Sequence, residues 1–258
     1  MRSKLVALPI VLIAVSLVGL SACSKRAGES KNSNFNITAE LTKVKAARAE
    51  LTTAREQLEK TKTELAALNA KSRLTAEEST QKTGLEQQLK TDQAAFDEAF
   101  TKDQGTLAEF LNVALNEMPT APETHEALLL YANEAVYNAN EFMNQAGDYR
   151  KAIDLLQTAE GYFDAVGAKA PEDLTATLAH AKEYRYLSQD RFEKVRKGMT
   201  EAQVKEITGT PFYANIRENE VRGKKITSWL FNREDNEVAA LYFDKGKLYA
   251  KKWNVKEQ

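Results

Sequence analysis

The sequence predicts an α+β protein: a long helical (coiled-coil) hairpin and a helical bundle, followed by a small domain of two helices and a three-stranded antiparallel sheet. Three patterns lead to this prediction. A heptad repeat of apolar residues begins at residue 37, helical periodicity continues to about residue 189, and strand-like aromatic runs dominate from residue 191 onward. Helical patterns followed by strand patterns are typical of the α+β class.

Residues 1–22 have the layout of an export signal, with a basic start and an apolar run from Leu5 to Leu20. This run is slightly short for a membrane-spanning helix, which needs about 20 apolar residues. Leu20-Ser21-Ala22-Cys23 resembles the lipobox of bacterial lipoproteins. The resemblance implies diacylglycerol transfer to the sulfur of Cys23, cleavage before Cys23 and acylation of the new amine. The alternative is an uncleaved signal anchor.

Cys23 is the only cysteine of the chain, so no internal disulfide can form. Ser24 follows it, and in the enteric sorting pattern that accompanies the lipobox, Asp at this position would retain the protein in the inner membrane. Ser therefore implies the outer membrane, facing the periplasm. Residues 23–36 are polar and lack periodicity, which predicts a flexible tether.

The charge of the chain is nearly balanced, with 36 basic and 37 acidic side chains. Binding to nucleic acid is dominated by contacts to phosphate and favours a strongly basic surface. This composition gives no reason to expect a nucleic-acid partner.

Residues 37–105 predict a coiled-coil helical hairpin. The apolar positions of the first helix are spaced by seven residues, and Thr75 with Glu78 matches a capping box at the start of a second helix. We favour a hairpin over a parallel dimer, because a short polar turn joins the two helices. The first helix carries Ile37, Val44, Leu51, Leu58 and Leu65, with Ala47, Ala54 and Leu68 in the second seam position, and the second helix carries Leu85, Leu89, Phe96 and Phe100.

Residues 106–190 predict further helices, interrupted at Pro119, Pro122 and the stretch 165–171. Residues 140–164 resemble one tetratricopeptide-type helical hairpin. The positions that carry this resemblance are Gly147, Tyr149, Ala152, Leu156 and Ala159. A stable array needs about three such repeats, and only one unit is convincing here. Ordinary helix-bundle packing is the alternative.

Residues 191–258 predict a small αβ domain. Three strand-like runs follow a short helix, and Lys245-Gly246 marks a tight hairpin between the last two runs. The runs are Lys225–Arg233, Glu237–Asp244 and Lys247–Val255. Trp229 and Phe231 share one face of the first run, so they are candidates either for core packing or for contact with a partner.

A motif in this region resembles the SmpA/OmlA lipoproteins, a family that includes the small lipoprotein subunit of the β-barrel assembly machine. Its positions are Gly198, Met199, Thr200, Val204, Gly209 and Pro211. The resemblance implies a fold of two helices on a three-stranded sheet, and a role in outer-membrane protein assembly or envelope integrity. We expect structural roles for these residues, because they are suited to turns, caps and packing.

No motif for catalysis or metal binding is present. His125 and His180 lack companions at metal-ligand spacing, and the sequence contains no nucleophile elbow and no phosphate-binding loop. We therefore expect no enzyme activity, no metal, and no cofactor other than the lipid on Cys23.

The sequence predicts a lipid-anchored interaction or scaffold protein of the cell envelope, with an envelope protein as its partner; the resemblance points to the β-barrel assembly machinery. One alternative is a helical adaptor whose C-terminal domain is a cap. A second is an inhibitor-like ligand-binding module, and a third is a hydrolase whose site the sequence does not reveal.

Overall fold

The computed structural model describes residues 35–221 and 223–255. The predicted signal peptide, the lipobox-like segment with Cys23, Ser24 and most of the predicted tether lie outside these residues. The chain divides into two compact units, Met1–Glu109 and Phe110–Gln258, and each unit is described separately below.

The described part of the first unit is formed by two long helices. Helix α1 spans Ile37–Asn69, and helix α2 spans Ala76–Glu117, so the unit boundary falls within α2. Asn36 caps α1 by accepting a hydrogen bond from the Ala39 backbone. At the start of α2, Thr75 Oγ1 accepts from the Glu78 backbone, and the Glu78 carboxylate accepts from the Thr75 N–H. The predicted capping box is therefore confirmed.

Helices α1 and α2 form an antiparallel hairpin within one chain, the arrangement that the sequence favoured. Three contacts show the direction, because later residues of α1 meet earlier residues of α2. They are Arg48 Nε to Asp103 Oδ1 at 2.8 Å, Glu50 Oε2 to Lys102 Nζ at 2.6 Å, and Thr61 Oγ1 to Asp92 Oδ2 at 2.6 Å.

The seam of the hairpin contains two buried polar layers as well as apolar residues. Val44, Leu51 and Leu58 are buried as the heptad predicts. Asp103 is fully buried and binds Arg48 through both carboxylate oxygens. In the second layer, hydrogen bonding from Thr61 lowers the pKa of Asp92, and burial opposes that shift. Because a shift in register would separate these partners, the polar layers favour one pairing of the two helices.

The second unit begins with the end of α2, followed by three helices. Helix α3 spans Pro122–Glu141 and continues into a π-helical turn, Phe142–Ala146; α4 spans Tyr149–Ala165 and α5 spans Glu172–Tyr184. Gly147 turns the chain between α3 and α4 with φ of 63°. Asp148 then caps α4 by accepting from the Lys151 N–H at 3.0 Å.

The rest of the second unit is a helix pair on an antiparallel sheet. Helix α6 spans Gln189–Lys194 and α7 spans Glu201–Thr208. The sheet has the order β1-β2-β3-β4. Its strands are β1 Ile216–Val221, β2 Lys224–Asn232, β3 Val238–Asp244 and β4 Lys247–Lys252. The α+β prediction is confirmed.

The prediction of three strands was wrong, because β1 adds a fourth. Its residues Ile216 to Glu220 are exposed and mostly charged or polar, so β1 lacks the apolar alternation that marks a half-buried strand. An edge strand needs only one partner, and charged side chains are common there. Here β1 pairs with β2 from Ile216 opposite Trp229 to Val221 opposite Lys224.

One face of the sheet packs with α6, α7 and the segments that flank them. Trp229 and Phe231 of β2 lie on this face together with Leu241 and Phe243 of β3 and Leu248 of β4. The buried cluster is completed by Leu187, Phe192, Val195, Val204 and Ala239.

We expect Asp103→Ala to lower the free energy of unfolding by about 3–5 kcal/mol, because it leaves the Arg48 charge poorly compensated in the seam. Glu50→Ala, which breaks the neighbouring exposed pair with Lys102, is the matched control and should cost less than about 1 kcal/mol. Urea titration followed by far-UV circular dichroism measures both. Equal losses in the two variants would contradict the role of the buried pair.

A second expectation concerns alkaline pH. Burial, and to a lesser extent neighbouring Tyr162, raises the pKa of Tyr131 to about 12. A tyrosine with a raised folded pKa contributes stability that is present below the unfolded pKa, near 10, and is lost as the pH rises through 12. We expect the wild type to lose about 2–3 kcal/mol more than Tyr131→Phe between pH 9 and pH 12. Parallel stability curves for the two proteins would contradict this.

Candidate functional site

The motif that carries the family resemblance is placed within the scaffold of the second unit. Gly198 adopts φ of 92°, and its N–H donates to the Leu248 carbonyl at 2.7 Å. The Leu248 N–H donates in turn to the Met199 carbonyl at 2.8 Å, and Met199 packs against the core. At the start of β4, the outward backbone groups are therefore already hydrogen-bonded to this segment.

Thr200 and Val204 build helix α7. The Thr200 hydroxyl accepts from the Gln203 N–H, and the Gln203 side chain accepts from the Thr200 N–H, which completes a capping box. Val204 is fully buried on the sheet side. The structural roles expected for both residues are confirmed.

The end of the motif, Gly209 to Pro211, contacts the hairpin of α3 and α4. The Thr210 N–H donates to the Tyr149 hydroxyl at 3.0 Å. A Cβ on Gly209 would lie 2.4 Å from that hydroxyl oxygen, and one on Gly147 would lie 2.3 Å from the Pro211 carbonyl oxygen. Both glycines have positive φ, so close approach and backbone conformation each require glycine.

Arg191 makes a second connection between the helices and the sheet domain. Its Nη2 donates to the Glu183 carbonyl at 2.6 Å and to the Tyr186 carbonyl, and its guanidinium lies over the Tyr184 ring, 4.4 Å from the ring centre. In addition, the Leu187 N–H donates to the Asn232 carbonyl at 3.0 Å. Residues on both sides of the predicted boundary at 190/191 therefore belong to one compact unit.

Trp229 and Phe231 lie in the core, with 2% and 9% of their surfaces exposed. The sequence left two roles open for these side chains, core packing and contact with a partner. The structure shows core packing, so the candidate role in partner contact is corrected. Lys205 covers the Trp229 ring from 5.7 Å, and Phe243 lies 4.3 Å away. The exposed aromatic side chains of this region are instead Tyr213 and Tyr249.

A cleft of about 550 Å³ lies beside the later part of β4. One wall is the end of α6 and the chain that follows it, with Glu193, Val195, Arg196 and Lys197, and the other wall is residues 248–251 of β4. The ammonium group of Lys251 donates to the Phe192 carbonyl at 2.7 Å. Burial lowers the pKa of Lys251; Glu193 opposes this shift and Arg196 adds to it. No sequence pattern marks this cleft, because its two walls are distant in the chain.

The predicted absence of catalytic chemistry stays a prediction. His125 packs edge-on against Phe163, and His180 lies against Tyr184. Within the described residues, no three His, Cys, Asp or Glu side chains are grouped closely enough to hold a metal ion. Over the same residues, no helix combines the length and the apolar character that crossing a membrane requires.

Comparison with protein-family models, with curated proteins and with solved structures finds no match to this chain.

We expect Gly209→Ala to destabilise the second unit by about 3 kcal/mol or more, since the new methyl group adds a clash with Tyr149 to the strain of positive φ. Gly167→Ala is the matched control, because Gly167 has φ of 68° but open space around its Cβ position. It should lose only about 1–2 kcal/mol. Denaturant unfolding compares the two variants, and similar losses would mean that the contact with Tyr149 has no energetic weight.

Proposed function

We propose that this protein is a lipid-anchored interaction protein of the bacterial cell envelope, attached to the outer membrane through Cys23 and facing the periplasm. The observation that carries the proposal is Cys23 itself, the only cysteine, placed directly after Leu20-Ser21-Ala22 and an apolar segment. Two or more acyl chains anchor a protein stably, where a single chain binds only weakly. Tethering also raises the effective concentration of the folded units near membrane partners.

The geometry of the second unit supports a non-enzymatic role. Its motif residues turn, cap or pack the chain, and the conspicuous aromatic residues Trp229 and Phe231 fill the core. What remains accessible is surface, including the cleft beside β4. The SmpA/OmlA resemblance makes a component of outer-membrane protein assembly the first partner to test.

The helical adaptor remains the second candidate function. Helices α4 and α5 are bound to the sheet domain through Tyr149, Arg191 and Leu187, so a partner that binds these helices would meet a surface already fixed by the sheet domain. The inhibitor-like module is less favoured, because the aromatic patch that it would use at Trp229 and Phe231 is buried.

We expect the full-length protein to fractionate with outer membranes and to incorporate a labelled fatty acid, and Cys23→Ala to do neither. The physical reason is that Cys23 supplies the thiol that accepts the lipid. Capture from detergent-solubilised, crosslinked membranes then identifies partners, with Cys23→Ala as the control. Full-length protein is required, because deleting residues 191–258 would remove the groups that contact α4 and α5.

Recovery of β-barrel assembly components with the wild type, and not with Cys23→Ala, would support the assembly role. Recovery of other envelope proteins would keep the interaction role and overturn the assembly role. Unchanged membrane association of Cys23→Ala would overturn the lipid anchor.

A further inference from the structure

We propose that the cleft beside β4 binds an extended, acidic segment of a partner polypeptide, which adds to the sheet as a short strand next to β4. This inference rests on the proposed function, because it specifies the surface and the chemistry through which the protein engages its partner. Three features of the cleft support it: an open strand edge, an excess of cations, and a space of suitable size.

The outer edge of β4 is closed at its start and open further along. Both backbone groups of Leu248 are bonded to the segment that contains Gly198 and Met199. A bulge follows, where the register shifts between Tyr242 and Phe243 of the neighbouring strand. Beyond the bulge no other strand of the described chain pairs with the outer edge of β4.

The register shows which backbone groups face outward. The Val255 N–H donates to the Val238 carbonyl, so the backbone groups of Val238 point toward β4. Because backbone groups alternate in direction along a strand, those of Ala240 and Tyr242 point toward β4 as well. Leu241 lies between Ala240 and Tyr242, so its backbone groups point away from β4. Leu241 is opposite Lys251, and these two residues therefore form a pair without mutual hydrogen bonds. The N–H and C=O of Lys251 therefore point away from β3, and outside the sheet ladder no backbone group of the described residues bonds to them.

An extended polypeptide is the ligand that fits this edge. It presents a donor and an acceptor together at every second residue, which matches the outward pair on Lys251. The open stretch from Tyr249 to Lys252 corresponds to roughly three or four residues at about 3.4 Å each. A phosphate group would offer acceptors alone and would leave the Lys251 carbonyl unmatched, and a lipid headgroup lacks the regular alternation of backbone donors and acceptors that an extended strand presents.

The charge of the cleft selects acidic side chains. Arg196 and Lys197 stand on the wall opposite β4, and no ion pair involves either side chain within the described residues. Lys251 adds a third cation at the base, held by the carbonyls of Phe192 and Glu193. Glu193 is the one acidic side chain that lines the cleft. A strand with alternating acidic residues places its carboxylates on one face, within reach of Arg196 and Lys197.

The test uses the full-length, lipidated protein in detergent micelles. The probes are fluorescent octapeptides in which glutamate alternates with valine or threonine. Matched peptides replace glutamate with glutamine, or carry N-methyl groups on alternate backbone nitrogens. Fluorescence anisotropy measures affinity, and hydrogen exchange measures protection of the Lys251 amide.

We expect the glutamate peptides to bind and to slow exchange of the Lys251 amide, whereas the glutamine and N-methylated peptides bind at least about tenfold more weakly. Arg196→Glu combined with Lys197→Glu should weaken binding by about tenfold or more. Lys169→Glu combined with Lys182→Glu makes the same change in charge at exposed positions of the helical region and should leave binding unchanged.

Several results would overturn the inference. One is equal binding of the N-methylated peptides, which would show ionic contact without strand addition. Others are equal binding by the Arg196/Lys197 variant, no binding by any peptide, or binding only to phosphatidylglycerol vesicles. Protection of the Lys251 amide before any peptide is added would mean that the chain covers its own edge. Because the peptide assay needs no envelope partner, its failure beside a successful membrane capture would leave the proposed function intact.

Discussion

The second unit depends on one close approach, between the hydroxyl of Tyr149 and the backbone of Gly209 and Thr210. The Thr210 N–H bonds to this hydroxyl, and neither Gly209 nor the nearby Gly147 has room for a Cβ. Burial raises the pKa of Tyr149, so its hydroxyl keeps its proton to a higher pH than the hydroxyl of an exposed tyrosine. Through this contact the turn after α7 is fixed to α4. The strand that lines the cleft therefore belongs to the same compact unit as the helices.

The hairpin of the first unit uses a different constraint. Its apolar seam includes small or polar residues such as Ala47 and Thr61, so hydrophobic burial alone specifies its register weakly. The Arg48–Asp103 pair and the Thr61–Asp92 hydrogen bond supply that specificity, because each is satisfied in only one register. A buried ion pair contributes little net stability, but losing one partner is costly.

The proposed lipid anchor and the proposed strand-binding edge would act together in recognising a membrane-bound partner. An edge that offers one outward pair of backbone groups and a few cations binds a short segment weakly, and weak contacts become effective when both partners are confined to one membrane. Closure of the first part of β4 by residues 198–201 limits the open edge to a few residues. That restriction disfavours pairing with unrelated strands, a known hazard of exposed sheet edges.

The sequence by itself determined the local features of this protein. The α+β class, the heptad of α1, the capping box of α2 and the hairpin turn before β4 could all be predicted, because each depends on residues close together in the chain. Tertiary structure decided the rest. Strand β1 forms because β2 offers it a partner, Trp229 and Phe231 are buried because α6 and α7 cover them, and the cleft exists because residues 193–197 fold beside residues 248–251. These features arise from contacts between segments distant in the chain, which local periodicity does not encode.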